Sequence, residues 1–439
     1  QAMNHRSIAL TDQVHPTSHT RLHLTWLALF YLGLAIQFFS LFDIIFLPGE
    51  WALGLSFILI ISGILGYTLT IEHRKKITGQ PLYTLQGNIR QKKWSAWLLA
   101  LFLTTFYVLL YLRPDLLGLG KNGASNSGLI GLYDGLSYWI KGNPASEWFV
   151  YGTMYTLAIT CLGIRVIFKF RHNRYQVYRT LSIIFFQLIF AFLLPEILQS
   201  FNKPYVDLKN FWPLNYYFFF DWNIDQLLAS GQFGFFVLGW GTLGFLVLTP
   251  LFTYYFGKRW YCSWVCGCGG LAETAGDEFR HLSNKSKKAW KQEKYLIYSI
   301  LVLVIVMTLL ILISRMTGQL TNISQTLAHW YGLIIGAMFS GIIGVGFYPL
   351  LGGRVWCRFG CPMAAYLGLL QKMKSRFRIS TNGGQCISCG NCSTYCEMGI
   401  DVKSYAQQGK DIVRASCVGC GICSAVCPRG VLKLENINQ

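Results

Sequence analysis

Eight long, nearly uncharged apolar runs divide this chain, near residues 22–46, 51–71, 94–112, 148–168, 179–198, 232–256, 295–314 and 329–351. A helix rises about 1.5 Å per residue, so about 20 apolar residues cross a hydrocarbon core about 30 Å thick. Lipid offers no water to an unpaired peptide group, which leaves helices or closed barrels as the forms that can span it. These runs are continuous rather than alternating, and that pattern excludes barrel strands. The expected fold class is an all-α polytopic membrane bundle of about eight transmembrane helices, with a small α+β domain after it.

Charge supports the same class. Only 13% of the 439 residues are charged, where a soluble chain carries about 25%. The net charge of +19 could suggest nucleic acid, but the basic residues sit in short loops, so nucleic acid is excluded as a partner. Segments 72–93, 165–180 and 257–294 hold six, five and eight Lys/Arg, whereas 43–50, 113–147, 199–231 and 315–328 hold none, three, two and one. The alternation predicts both termini on the cytoplasmic side of a bacterial inner membrane. No cleavable signal peptide is expected, because the first apolar run is too long for one. Residues 1–21, with His5, His15 and His19, read as a polar cytoplasmic tail rather than a metal site.

The last sixty residues carry the chemistry. Cys386, Cys389, Cys392 and Cys396 follow a C-x2-C-x2-C-x3-C spacing, and Cys417, Cys420, Cys423 and Cys427 repeat it. That spacing is the ligand set of a ferredoxin with two [4Fe–4S] clusters, in which the fourth cysteine of each run serves the other cluster. Cys386, Cys389, Cys392 and Cys427 are therefore expected to hold one cluster, and Cys417, Cys420, Cys423 and Cys396 the other. Gly390, Gly419 and Gly421 let the backbone wrap closely. Zinc sites favour C-x2-C pairs with longer gaps. Glu397 follows the first run where Pro428 follows the second; proline there ligates nothing, so the cluster is not threatened.

A second constellation is duplicated. Gly257-Lys-Arg259-Trp-Tyr-Cys262-Ser-Trp-Val-Cys266 closes the sixth run, and Gly352-Gly-Arg354-Val-Trp-Cys357-Arg-Phe-Gly-Cys361-Pro362 closes the eighth. Were the helices to continue, each C-x3-C would put two sulfurs on one face a turn apart. Cys262, Cys266, Cys357 and Cys361 are expected to hold a further metal or iron–sulfur centre, with Cys268 as a spare ligand and Arg259 and Arg354 offsetting its negative charge. Clustered thiols of this kind suit a reducing compartment and not a disulfide. Cys161 reads as a core residue.

These motifs resemble the NapH/NosR-type membrane polyferredoxins, over roughly residues 232–439. The matches are Cys357, Cys361 and Pro362 together with the eight tail cysteines. Cys266 departs, being followed by Gly267 and Cys268 instead of proline, and no outer stretch is long enough for the flavin domain of NosR-type members. The resemblance implies an electron conduit between a cytoplasmic or quinone donor and an outer reductase or maturation system. Four regions are expected: a tail 1–21, helices 1–5 over 22–231, helices 6–8 with the duplicated motif over 232–378, and a cytoplasmic ferredoxin domain over 379–439 that hangs below the bundle. Membrane lipid, other subunits of a redox complex, and cytoplasmic and outer-side electron-transfer proteins are the expected partners. Quinone is a candidate ligand.

Several features read as structural. The aromatic segment 211–222 is expected to anchor at the outer interface. Gly332, Gly336, Ser340 and Gly344 form a small-residue ridge for a neighbouring helix. The basic residues of 280–294, including Arg280, are expected to face lipid head groups. Asp43 and Glu196 lie near outer helix ends, and no histidine is placed to ligate haem inside a span. The expected function is a membrane-bound iron–sulfur electron-transfer subunit rather than a stand-alone catalyst. The alternatives are a metal-reducing maturation factor for a respiratory oxidase or reductase, and a subunit of an ion-translocating redox complex, which the dearth of intramembrane carboxylates disfavours.

Overall fold

A computed structural model describes residues 21–44, 47–78, 94–121 and 124–436; the tail with His5, His15 and His19 lies outside them. Eight described helices are long and apolar enough to cross a membrane. They are α1 Leu22–Ser40, α2 Gly49–Ile71, α3 Trp94–Leu112, α4 Glu147–Lys169, α5 Arg174–Ser200, α6 Gln232–Phe256, α7 Lys287–Thr317 and α8 Thr321–Ile343. The molecule is an all-α membrane bundle with a small C-terminal module containing two strands.

Local signals set the helix ends. Ser146, Asn173 and Ser286 cap α4, α5 and α7 by accepting from Phe149, Gln176 and Ala289 N–H groups, which satisfies donors that a helix start leaves open. Ser286 also explains why α7 begins eight residues ahead of its apolar run: the cap starts the helix among lysines, before the lipid-facing part. Helix α8 likewise starts at Thr321 and ends at Ile343, ahead of the predicted 351, its last part wound as a π-helix over Gly332–Ile343. Gly341 there and Gly346 just past the helix end lie against Tyr111 and Thr104 of α3, where a side chain would collide. The first run stops as helix at Ser40, and Asp43 accepts from Gly128 N–H beyond it.

Two structural readings change. Phe211, Trp212 and Phe218 are buried, not laid on the interface. Trp212 Nε1 donates to Thr308 of α7 at 3.1 Å, and Tyr216 lies over Gly332 and Gly336. Part of the small-residue ridge thus receives an aromatic side chain from the preceding loop. Glu196 pairs with Lys141 at 3.1 Å, both buried, which is a structural ion pair and not an exposed boundary acid.

The C-terminal module follows a helix after the bundle, α9 Pro362–Lys374. Strand β1 Phe377–Thr381 pairs antiparallel with β2 Leu432–Asn436, Phe377 opposite Asn436 and Thr381 opposite Leu432. Closing first strand on last folds residues 382–431 into a loop-rich unit against the α6 and α9 end of the bundle.

Candidate metal centres

Each cysteine run of the module is a tight turn followed by one helical turn, Asn391–Thr394 in the first and Ile422–Ala425 in the second. Gly390 (φ 81) and Gly421 (φ 73) occupy the left-handed region immediately before those turns, which a Cβ disfavours. At matching positions two residues after the first cysteine, Gly419 has φ 62 and Ser388 φ 58. Ser388 tolerates it while its hydroxyl accepts from Gln407 Nε2 at 2.6 Å.

The eight cysteines line two separate cavities. Cys386, Cys389, Cys392 and Cys427 face one, with Leu432 at its wall. Cys396, Cys417, Cys420 and Cys423 face the other, with Ile379 and Val418. The fourth cysteine of each run thus turns to the other run's cavity. Among the described residues no three His, Cys, Asp or Glu converge as ligands of one ion; the thiols surround a volume instead. A ring of four sulfurs around an apolar cavity fits a cubane, whose irons take one thiolate each. Burial pushes Cys392 up to about 11 and Cys417 up to about 12, so a bound metal would have to displace their protons.

The paired motifs depart from a continuous helix. Cys262 ends the turn Arg259–Cys262, but Cys266 is extended (φ −67, ψ 135) and caps the next helix, Gly267–Thr274. Cys357 lies in the turn Trp356–Gly360, and Cys361 (φ −80, ψ 114) caps α9, its Sγ accepting from Ala364 N–H at 3.4 Å. The break brings in two helices that apolar patterning did not mark, although Pro362 at the first position of α9 is a starting signal. Cys262, Cys266, Cys357 and Cys361 all lie in one buried cluster with Tyr261, Tyr331 and Trp356. Half-buried Cys268 adjoins Cys266: the hydrogen bond between them holds Cys266 low and Cys268 high.

The two arginines behave differently. Arg354 is buried, and its Nη1 stands 3.2 Å from Cys262 O and 3.7 Å from Cys357 Sγ. Arg259 turns away from the thiols, against expectation. It donates to Phe256 O and Asn436 and lies 4.4 Å over the Phe377 ring. Gly257 (φ 67) and Gly352 (φ 93) turn the two motifs alike, but the next residue is Lys258 in the first and Gly353 in the second, and Lys258 goes inward. Lys258 is 1% exposed, its Nζ on Ala415 O at 3.1 Å. Burial drives Cys262 up to about 12, and the Lys258 charge opposes that rise.

A buried ion network missed by sequence reasoning surrounds Arg354. Glu273, fully buried, meets Arg179 and Arg280 at 2.6 Å each and also Arg354. Burial opposes its ionisation, but those three guanidinium groups outweigh it and hold the carboxyl at about 2. Asp277 joins Arg280 at 2.7 Å and Lys169 at 2.6 Å. Glu397, the residue in the proline position, binds Arg354 at 2.8 Å and Arg280. Arg280 is thus an internal residue and does not face lipid head groups. The one available signal was Glu397 itself, an acid where a turn residue is usual.

The module is docked, not hanging. Ser263 donates to Val418 O, Tyr175 to Gly419 O, and Gln176 and Arg179 to Cys420 O, all at 2.8–2.9 Å. Gln371 of α9 donates to Cys417 O at 3.0 Å, and Ser283 to Glu397 O at 2.6 Å. These bonds seat the 417–420 loop against the first paired motif, so the Cys417 cavity adjoins the bundle. Gln385, Ser388, Pro428 and Arg429 beside the other cavity are exposed.

Comparison with known proteins agrees with this geometry. A 4Fe-4S dicluster domain model matches residues 385–432, and a 4Fe-4S binding domain model matches twice, at 238–289 and 333–380, once around each C-x3-C pair. The chain is 27% identical over 176 residues to the Escherichia coli K12 protein named "Putative electron transport protein YccM", covering 34% of this chain and 44% of that one. It is 27% identical over 202 residues to "Uncharacterized protein MJ0750" of Methanocaldococcus jannaschii, covering 44% of this chain and 77% of that one. The chain thus spans less than half the length of the first relative. No solved structure matches. Spans, cysteine cavities and domain matches together describe a membrane protein that carries 4Fe-4S ferredoxin-type domains.

Proposed function

We propose that this chain is the membrane-bound relay subunit of a redox complex. Cys386, Cys389, Cys392 and Cys427 would hold one [4Fe–4S] cluster, Cys417, Cys420, Cys423 and Cys396 a second, and Cys262, Cys266, Cys357 and Cys361 a third iron–sulfur centre. Bound there, such clusters supply one-electron transfer without proton chemistry of their own. The observation that carries the reading is the adjacency just described: the inner cavity of the module and the paired thiols share one buried core.

The protein's own residues do the rest. Arg354 and Lys258 set positive charge beside thiolates that burial would otherwise protonate. Glu273 and Glu397 hold Arg354 in place. The hydrogen bonds to Val418, Gly419 and Cys420 fix the separation between module and bundle, on which a tunnelling rate depends. Lysine-rich loops on the module's side suggest that it faces the cytoplasm of a bacterial inner membrane. A soluble donor or acceptor would then meet the edge at exposed Gln385 and Ser388, beside half-buried Cys386 and Cys389, and a quinone or an outer-side protein would complete the path.

Iron and acid-labile sulfide counts on the anaerobically purified chain test this, with EPR at poised potentials. Three cubanes require about twelve iron atoms per chain. Substituting serine at both Cys357 and Cys361 should remove about four and one set of signals. A count of about eight in both proteins would remove the third centre from the proposal.

A further inference from the structure

A cleft of about 240 Å³ opens between the start of α7, helix α9 and segment 413–416 of the module. Five cations line it; Lys258 donates to Ala415 O and Arg358 is paired, which leaves Lys294 of α7, Lys372 of α9 and Arg414 of the module. Arg414 lies 4.9 Å over the Trp290 ring. No ion-pair partner of these three is found among the described residues. The carboxylate at the wall, Glu293, is taken up by Arg358 at 2.6 Å. The cleft thus carries three positive charges while its one carboxylate is already paired, a balance that a bound anion would offset.

The remaining walls state what kind of anion. Ile297, Ala364 and Ala365 make one side apolar, and Tyr298 stands beside them. Along the helical edge that continues from Lys294 and Tyr298, α7 runs into the span with Val302, Ile305 and Leu309 exposed, at 59%, 37% and 53%. The ligand is therefore charged at one end, at the level where α7 leaves its lysine-rich turns, and apolar along the helix. Basic pockets between helices at a membrane surface take phosphate head groups of acidic lipids.

We propose that this cleft binds the phosphate of an acidic phospholipid, its acyl chains lying along α7. The lipid would bridge bundle and module beside Cys357, which also borders the cleft. The site is independent of the relay reading, because binding is measured without electron flow.

The test is native mass spectrometry of the full chain, released from nanodiscs of phosphatidylglycerol with phosphatidylcholine. One phosphatidylglycerol should remain on the wild type. Each of Lys294→Gln, Lys372→Gln and Arg414→Gln should weaken retention roughly fivefold, and the triple variant roughly a hundredfold, at about 1 kcal/mol per cation. The control is Lys287→Gln/Lys288→Gln/Lys291→Gln, three exposed cations of the same helix outside the cleft; retention should stay near wild type. Equal loss in triple variant and control would overturn the proposal, as would equal retention of phosphatidylcholine. So would displacement by millimolar inorganic phosphate, which would make the site one for the free anion.

Discussion

Glu397 illustrates how a single residue can carry a domain contact. It stands where Pro428 stands in the second run, it is 2% exposed, and it joins Arg354 and Arg280. Removing one member of a buried ion pair leaves an uncompensated charge and costs about 3–5 kcal/mol. Glu397→Gln should therefore loosen the module without touching a cysteine. Hydrogen exchange at residues 417–421 should quicken, while the iron content of the isolated chain stays near wild type. Unchanged exchange would show that the backbone bonds to Val418, Gly419 and Cys420 suffice alone. The tail cysteines could be read from the sequence because cluster ligation is written in short spacings. Glu397 could not, because its partner Arg354 is 43 residues away in the chain and only burial makes the pairing consequential. The same limit misled the reading of Arg259 and Arg354 as equivalents: the motif repeats, but Lys258 stands where the second copy has Gly353, and it is buried.

At the scale of elements, apolar patterning located all eight spans, since a helix is the one open-ended way to satisfy backbone groups in lipid. It failed where backbone leaves the lipid. Both C-x3-C pairs straddle a break, and the second cysteine starts a new helix. Cys361 thus has two roles, cap and candidate ligand, and two substitutions separate them. Serine is a favoured N-cap and alanine is not, a difference of about 1 kcal/mol. Cys361→Ser should keep the thermal stability of the metal-free chain near wild type, and Cys361→Ala should lower it by about that amount. Both should lose the third centre's EPR signal. Equal stability of the two variants would mean that the sulfur caps nothing.

For the whole molecule, the decisive feature is that module and bundle share a core. Cys417 and Cys423 are 6% and 5% exposed, whereas Cys386 and Cys389 are half-buried at the outward cavity. Access should follow that order. When the anaerobic protein is treated with an iron chelator and a thiol-alkylating reagent, peptide mass spectrometry should find Cys386 and Cys389 labelled before Cys417 and Cys423. Labelling in the reverse order, or all at once, would mean that the module leaves the bundle in solution. An undocked tail would also have left Arg179 without the Cys420 carbonyl, and Arg354 and Arg280 without Glu397.

By itself the sequence determined the class of the molecule and the eight cysteines of its module, because run length and ligand spacing are local quantities. Tertiary structure alone decided which basic residues approach the paired thiols and that the module is seated on the membrane helices. Those outcomes rest on burying charge among partners from distant segments, and the strength of such pairings depends on exclusion of water, which no stretch of sequence specifies.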